Sequence, residues 1–278
     1  MVVRATTSTT ATAPFNVLDV YTGAVVAFSL RRLSGAYSGA AVRVRRSSDN
    51  VEQDIGFDAS GNLNESALTS FIGANSGFVT TWYDQSGASR DMTQSIAANQ
   101  LRIVNNGSLE MAQGRLAIYS EVGKFMSTVT TSWLVVGNGD RAMISVATRR
   151  APGGMNTWSG IHSGNQAWGI DFGTIATFAP YTYGVGDTLL AAVAQDKTCV
   201  VTANRLSGSS RGSINNIEGL PNTSVLVTTS NNGLGIGKRP DNAESIGHYS
   251  EIIYFNVGLS SSIKSAIEKN AMSYYGIS

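Results

Sequence analysis

The sequence predicts a single all-β domain, a β-sandwich of the jelly-roll kind that one short helix closes at the C-terminus. Three observations lead to this fold class. Short segments rich in β-branched and aromatic residues recur along the chain, and Gly, Asn, Asp or Pro separates almost all of them. Only 14% of the residues are charged, fewer than the solvent faces of a helical protein require. The 278 residues fit one domain, because all-β sandwiches reach this length.

The chain begins with a segment that does not look like part of a core. Residues 1–14 are rich in Thr and Ala, end at Pro14 and lack apolar periodicity. We therefore expect an extended arm, either free or held against a neighbouring subunit, followed by one domain over residues 15–278. The arm lacks the apolar run of a signal peptide, and no run in the chain approaches the ~18 apolar residues of a membrane helix. The sequence predicts no membrane insertion.

Strand patterns follow the arm. Alternation places Arg43 and Arg45 on one side of the first strand, where we expect a solvated face. The segment 24–33 fits either a strand or a helix, because its periodicity does not decide between them. Many short strands at this spacing indicate a sandwich or barrel rather than alternating βα units. The predicted strands are residues 41–45, 78–83, 115–119, 142–148, 167–172, 189–194, 199–203, 225–229, 234–238 and 248–256.

Two helices are predicted from capping residues and apolar spacing. Asn64 can cap a short helix that Gly73 ends, and the apolar residues between them lie on one face. A second helix begins at Ser260–Ser262, and Gly276 occupies the position of a left-handed residue after its last turn. The apolar stripe of this second helix is predicted to consist of Ile263, Ile267, Ala271 and Tyr274.

Charge and motif content argue against several classes of function. The net charge is +1 and the basic residues occur in small groups, so nucleic acid is not an expected partner. Cys199 is the only cysteine, which excludes an intrachain disulfide and a cysteine-based metal site. No metal and no cofactor is expected, since His162 and His248 are the only histidines and no nucleotide-binding or hydrolase-elbow motif is present. The glycine-rich stretch 233–237 indicates close strand packing, because no helix pattern follows it. A spatial Ser-His-Asp triad is left open in so serine-rich a chain.

Carboxylates beside aromatic residues form the more informative pattern. Sugars offer flat C–H faces that stack on Trp and Tyr, and hydroxyls that bond to Asp and Asn. Some of these residues also have an interpretation other than sugar binding. For Asp84 and Asp241 it is turn formation, which we prefer for Asp84. For Trp168 it is packing in the core or at a sheet edge. The glycan-binding candidates are Trp168, Asp171, Tyr181, Tyr183, Asp241, Asn242 and Asp84.

These residues belong to stretches that resemble a known family, the catalytic domain of arabinofuranosidase B. The similarity spans nearly the whole chain after the arm, and the motif Tyr83-Asp84-Gln85-Ser86-Gly87 is its most specific part. It implies a concanavalin-A-like jelly roll and the removal of arabinofuranose by a retaining mechanism with two carboxylates. The stretches are 36–39, 42–49, 82–87 and 92–94, and, for the end of the domain, 235–237, 241–242 and 249–251.

The same resemblance assigns roles to individual positions. The acid/base aspartate of the family matches Asp241. The aspartate that precedes the family's nucleophilic glutamate by two residues matches Asp171, which leaves Gly173 at the position of the nucleophile. The family's disulfides are missing, because Cys199 is alone. We therefore expect a cleft that keeps sugar-contacting groups but lacks the nucleophile, although a shift of two residues would let Asp171 take that role.

A form of this domain without disulfides also resembles modules of bacteriophage virion proteins. The leading interpretation is a non-enzymatic virion structural or attachment protein, such as a head decoration, fibre or tail component, assembled in the host cytoplasm. It would form a homo-oligomer through the arm and exposed sheet edges, contact other virion proteins, and could bind a cell-surface glycan. The alternatives are a glycoside hydrolase acting on arabinofuranosides and a cellular carbohydrate-binding module.

Overall fold

The computed structural model describes residues 16–129, 133–150, 156–159, 168–172, 178–182, 196–223, 233–237 and 246–278. Within these ranges there are three α-helices: α1 (Val17–Val20), α2 (Glu65–Ile72) and α3 (Ser261–Tyr275). The strands of the same ranges are, in chain order, β1 (Ala24–Ser29), β2 (Val42–Arg46), β3 (Glu52–Ile55), β4 (Gly77–Trp82), β5 (Met92–Thr93), β6 (Leu101–Asn105), β7 (Ser108–Leu109), β8 (Met111–Ala112), β9 (Arg115–Leu116), β10 (Ile118–Ser120), β11 (Met126–Thr128), β12 (Arg141–Arg149), β13 (Asn156–Ser159), β14 (Trp168–Phe172), β15 (Phe178–Thr182), β16 (Thr198–Leu206), β17 (Ser209–Ile214), β18 (Ile217–Glu218), β19 (Leu234–Ile236) and β20 (Gly247–Phe255).

The strands form two antiparallel layers. The front sheet has the order β3-β2-β4-β5-β11-β19-β13-β14-β15. The back sheet has the order β18-β17-β16-β12-β20, and β1 and β10 both pair with the other edge of β20. Strand β6 joins the two layers at a corner, because it pairs with β4 of the front sheet and with β10 of the back sheet. The predicted all-β sandwich with a C-terminal helix is confirmed.

The main core lies between the two sheets because alternate residues of each strand point inwards. Trp82 and Met126 from the front sheet meet Met143 and Tyr254 from the back sheet in this cluster. A second, smaller core covers the outer face of the back sheet, where the other set of alternate residues packs against α3. Strands β12 and β20 are consequently buried along their whole length, whereas the outer face of the front sheet carries no such cover from the described helices.

The helix caps follow the prediction, but the buried stripe of α3 does not. Asn64 Oδ1 accepts a hydrogen bond from the Ala67 amide, and Gly276 adopts the left-handed conformation after α3 with φ 65°. The predicted stripe of α3 was wrong at both ends. Ile263 is exposed, and Tyr275 rather than Tyr274 is the fully buried tyrosine. The stripe turns because α3 also buries polar residues: Lys264 donates to Ser213, which itself donates to Glu268.

Most strand predictions hold within the described ranges. The undecided segment 24–33 contains strand β1, because its alternate residues fill the two different cores. The predicted strand at 115–119 is divided into β9 and β10. The arm of residues 1–14 and the predicted strands at 189–194 and 225–229 lie outside the described residues, so self-association through the arm stays a prediction. No helix in the described ranges has the length and apolarity needed to span a membrane.

Candidate functional site

A row of neighbouring residues crosses the outer face of the front sheet. Trp82 pairs with Met92 and Met126 pairs with Ile236, and all four side chains belong to the main core. The residues between them therefore occupy the opposite, outer face. Cross-strand pairing links the row without a break in the order Asp54, Arg43, Thr81, Thr93, Ser127, Gly235, Trp158, Gly169 and Tyr181.

This register brings two of the predicted site residues to the same face. Trp168 and Ile170 of β14 are buried in the main core. Asp171 therefore stands at an outer-face position, two residues along the strand from Gly169. It pairs with Asn156 on one side and with Ala179 on the other, and Tyr181 lies in the row beside Gly169. The candidates Tyr183, Asp241 and Asn242, and the position Gly173, lie outside the described residues.

Trp168 belongs to the core instead of the outer face. Its side chain is 1% exposed. The indole lies 6.3 Å from the ring of Tyr254 in an edge-on arrangement, and the Arg141 guanidinium carbon lies 5.0 Å from the indole centroid. The prediction that Trp168 stacks on a sugar is corrected accordingly: strand alternation and these contacts give it the core-packing role that was the competing interpretation.

Asp84 is a structural residue in this geometry. It is 3% exposed, and its Oδ1 accepts hydrogen bonds from the amides of Ala27 and Ser86, both at 2.9 Å. Its Oδ2 accepts from the Ser86 hydroxyl at 2.8 Å and from the Arg90 amide at 3.1 Å. A carboxylate has about four acceptor positions, so all of them are used within the chain. The turn interpretation fits this arrangement, and Asp84 has no acceptor left for a sugar.

The next residue of the motif completes the same junction. The Gln85 side chain donates to the carbonyl oxygens of Ser29 and Arg31, and its own oxygen accepts from the Leu33 amide at 2.8 Å. Asp84 and Gln85 thus join the end of the front strand β4 to strand β1 of the back sheet. The specific motif of the sequence is explained by this connection between layers, in which the carboxylate accepts four hydrogen bonds and the amide both donates and accepts.

Ionic contacts hold the β3 end of the outer-face row. The Arg43 guanidinium lies 3.1 Å from a carboxylate oxygen of Glu52 and 3.8 Å from one of Asp54. The Tyr83 hydroxyl donates to Asp54 at 2.8 Å. Burial of the phenol, followed by this hydrogen bond, raises the pKa of Tyr83 to about 12. Tyr83 consequently stays protonated at neutral pH and acts as a hydrogen-bond donor.

A second carboxylate near Asp84 was not recognised from the sequence. Asp91 accepts a hydrogen bond from the Asp84 amide at 2.8 Å. Burial, and then the nearby charge of Asp84, raises the pKa of Asp91 above its ordinary value, as in general acids. The two carboxylates still do not make a hydrolytic pair, because a nucleophile needs a free oxygen and Asp84 has none. Only their spatial proximity, absent from any sequence motif, could have indicated Asp91.

The glycine-rich stretch performs a packing role next to the row. Gly237 has φ 90°, and a Cβ placed there would collide with the Lys124 carbonyl oxygen. Its amide donates to the Tyr249 hydroxyl at 3.3 Å. Close strand packing, which the sequence predicted for this stretch, is what the structure shows. Among the described residues, no group of three or more His, Cys, Asp and Glu side chains is arranged to hold a metal ion.

Comparison with protein families gives one match over most of the chain. The model of the family described as alpha-L-arabinofuranosidase B, catalytic, matches residues 18–211. The matched range includes Asp84, Asp171 and Gly173, and it ends before Asp241. No curated protein sequence gives a significant match to the chain.

Solved structures of arabinofuranosidases share the fold. A GH54 α-L-arabinofuranosidase soaked with a cyclic sulfate inhibitor superposes with a TM-score of 0.71 at 14% identity, over 94% of this chain. An arabinofuranosidase complexed with arabinofuranosyl-α-1,2-xylobiose gives the same TM-score at 16% identity. A Trypanosoma rangeli sialidase gives a TM-score of 0.51 at 13% identity, over 70% of this chain and 31% of its own. The chain spans 65% of the length of the two arabinofuranosidases.

Proposed function

Because the chain belongs to the catalytic-domain family of α-L-arabinofuranosidase B, we propose that it is a glycoside hydrolase that releases arabinofuranosyl groups. The family match over residues 18–211 is the observation that carries this proposal, and the arabinofuranosidase-like fold supports it. The substrate would lie on the outer face of the front sheet, along the row that contains Gly169 and Tyr181.

The leading interpretation of the sequence was therefore wrong. A non-enzymatic virion structural or attachment protein is contradicted by the match to a hydrolase family and by the superposition on arabinofuranosidases. None of the comparisons supports the similarity to bacteriophage modules. The missing disulfides and Gly173 concern single positions, whereas the resemblance to the hydrolase family extends over residues 18–211.

The proposed chemistry uses two carboxylates. A retaining hydrolase needs a nucleophile and an acid/base group about 5 Å apart. We assign the nucleophile to Asp171, which stands at an outer-face position of β14, and the acid/base role to Asp241, as the resemblance implies. Gly173 occupies the position where the family carries its glutamate, so Asp171 would have to act in its place, and substitution of Asp171 tests the proposal.

Hydrolysis of 4-nitrophenyl α-L-arabinofuranoside across roughly pH 4–8 provides that test. Asp171→Asn is expected to lower kcat at least about 100-fold, because amides neither attack nor carry charge. The matched control is Asp196→Asn: Asp196 is exposed, and its φ of 63° suits asparagine equally well.

The leaving group separates the two assigned roles. 4-Nitrophenolate leaves without a proton, whereas a sugar hydroxyl needs one, so Asp241→Asn should reduce cleavage of arabinofuranosyl xylobiose more than cleavage of the aryl substrate. Asp171→Asn should reduce both equally. No turnover by the unmodified chain would overturn the proposal, and sugar binding without turnover would instead support the carbohydrate-binding alternative.

A further inference from the structure

A concave site lies apart from the row on the outer face of the front sheet, and none of its lining residues belongs to that row. Its walls come from the start of α2, from β9 and from the last turn of α3, which packs on the back sheet. The cavity has a volume of about 330 Å³, at the lower end of the range for small-molecule sites. Leu30, Leu63 and Leu116 supply its apolar part.

A guanidinium with unused donors stands in the wall of this cavity. Arg115 is exposed, and its guanidinium carbon lies 4.5 Å from the ring centroid of Tyr274. Within the described part of the chain, no carboxylate or carbonyl oxygen accepts a hydrogen bond from it. The aromatic contact therefore positions the guanidinium while its N–H groups stay available to a ligand.

Three consecutive residues of the opposite wall also have unused polar groups. Asn64 uses its side-chain oxygen to cap α2, which leaves its NH₂ group free among the described residues. The Glu65 carboxylate and the Ser66 hydroxyl likewise have no hydrogen-bond partner there. Together with Arg115, these three residues give the cavity several hydrogen-bond donors and a carboxylate acceptor around an apolar floor.

The frame of the cavity is rigid. The Tyr274 hydroxyl donates to Asn62 at 2.7 Å, and the Tyr275 hydroxyl donates to the Ser250 carbonyl oxygen at 3.3 Å. Behind them, Arg31 and Glu251 form a fully buried ion pair with two hydrogen bonds of 2.7 and 2.9 Å. A site that is already ordered loses little conformational entropy when a ligand binds.

We propose that this cavity binds a neutral sugar unit of a polysaccharide and anchors the enzyme to it. Sugar hydroxyls both donate and accept, and therefore match a wall that offers Arg115, Asn64 and Ser66 as donors and Glu65 as an acceptor. A neutral ligand is favoured over an acidic one, because the cavity contains the carboxylates of Asp58 and Glu65 against one guanidinium. This inference rests on the proposed function, since an anchor serves an enzyme whose substrate is a polymer.

Retention of the full chain on insoluble arabinoxylan tests the anchor. Arg115→Ala removes the guanidinium, and Ser66→Trp fills the cavity without changing its charge. Each is expected to weaken binding to the polymer about ten-fold, as the loss of one charge-assisted contact would. The control Arg211→Ala removes an exposed arginine that pairs with Glu218 on the back sheet, and should bind as the unmodified chain does.

The kinetics on a small substrate separate this inference from the proposed function. Both cavity variants should keep the kcat/KM of the unmodified chain for 4-nitrophenyl α-L-arabinofuranoside, which does not need an anchor. If the chain hydrolyses nothing, the proposed function fails while polymer retention still decides the role of the cavity. Equal retention of both cavity variants and the unmodified chain would overturn the anchor. The anchor would also be overturned if glucuronate competed with the polymer for the chain more strongly than xylobiose does.

Discussion

Replacement of Asp84 by asparagine offers a direct test of its structural role. The change keeps the size of the side chain but leaves one acceptor oxygen in place of two. The carboxylate accepts four hydrogen bonds, one from Ala27, two from Ser86 and one from Arg90. The substitution removes two of the four. Hydrogen bonds to a charged group contribute about 1.5–3 kcal/mol each, so the free energy of unfolding should fall by about 3–6 kcal/mol.

Urea unfolding followed by tryptophan fluorescence measures this change. For a slope of about 3 kcal/mol per molar urea, the midpoint should fall by roughly 1–2 M. Asp196→Asn is the matched control, because it removes the same charge from an exposed position and should stay within about 0.5 kcal/mol of the unmodified chain. A loss below about 1 kcal/mol in Asp84→Asn, together with weaker sugar binding, would refute the structural role and restore the glycan-binding interpretation.

Three further substitutions test the packing and the electrostatics of the fold. Glu251→Ala leaves the buried Arg31 guanidinium without its partner and should lower the free energy of unfolding in urea by about 3–5 kcal/mol. A decrease of less than about 1 kcal/mol would contradict the buried pairing. Trp168→Ala should cost about 3–5 kcal/mol as a cavity in the core, whereas a stable variant that binds sugar poorly would return Trp168 to the binding site. Burial would raise the pKa of Glu110, but hydrogen bonds from His248 and a neighbouring guanidinium outweigh it and lower that pKa. The stabilisation that these hydrogen bonds give to the folded state is thus present above the ordinary carboxyl pKa of 4.5. It is lost as the pH falls through the lower folded-state pKa of Glu110. Glu110→Gln should therefore lose less stability than the unmodified chain between roughly pH 6 and pH 3, and parallel losses would contradict this account.

Local signals in the sequence predicted the local structure well. Asn64, Ser260 and Gly276 mark helix ends, because capping depends on one side chain and the adjacent turn. The long central strands of the back sheet, β12, β16 and β20, were also predicted, since alternation and β-branched residues are strong there. Strand β3, with the sequence Glu-Gln-Asp-Ile, was missed because its polar residues face solvent and give no apolar alternation.

The candidate site depended more on non-local structure. Asp171 and Tyr181 were identified as candidates from residue type, yet their position on one outer face follows from the pairing of β13, β14 and β15. Trp168 carried the same sugar-binding signal, and alternation along β14 placed it in the core. A one-residue change in register would exchange these two outcomes, which is why residue type alone did not distinguish them.

The sequence by itself determined the all-β class, the helix caps and the resemblance that led to the family, because each depends on residues that are close in the chain or on a motif that can be compared directly. Only the tertiary structure decided that Asp84 joins the two sheets, that Trp168 is a core residue, and that a cavity forms between α2 and α3. Each of these depends on partners far away in the sequence, as when Asp84 bonds to Ala27. Cross-strand register and the packing of a helix on a sheet create such neighbours only when the chain folds.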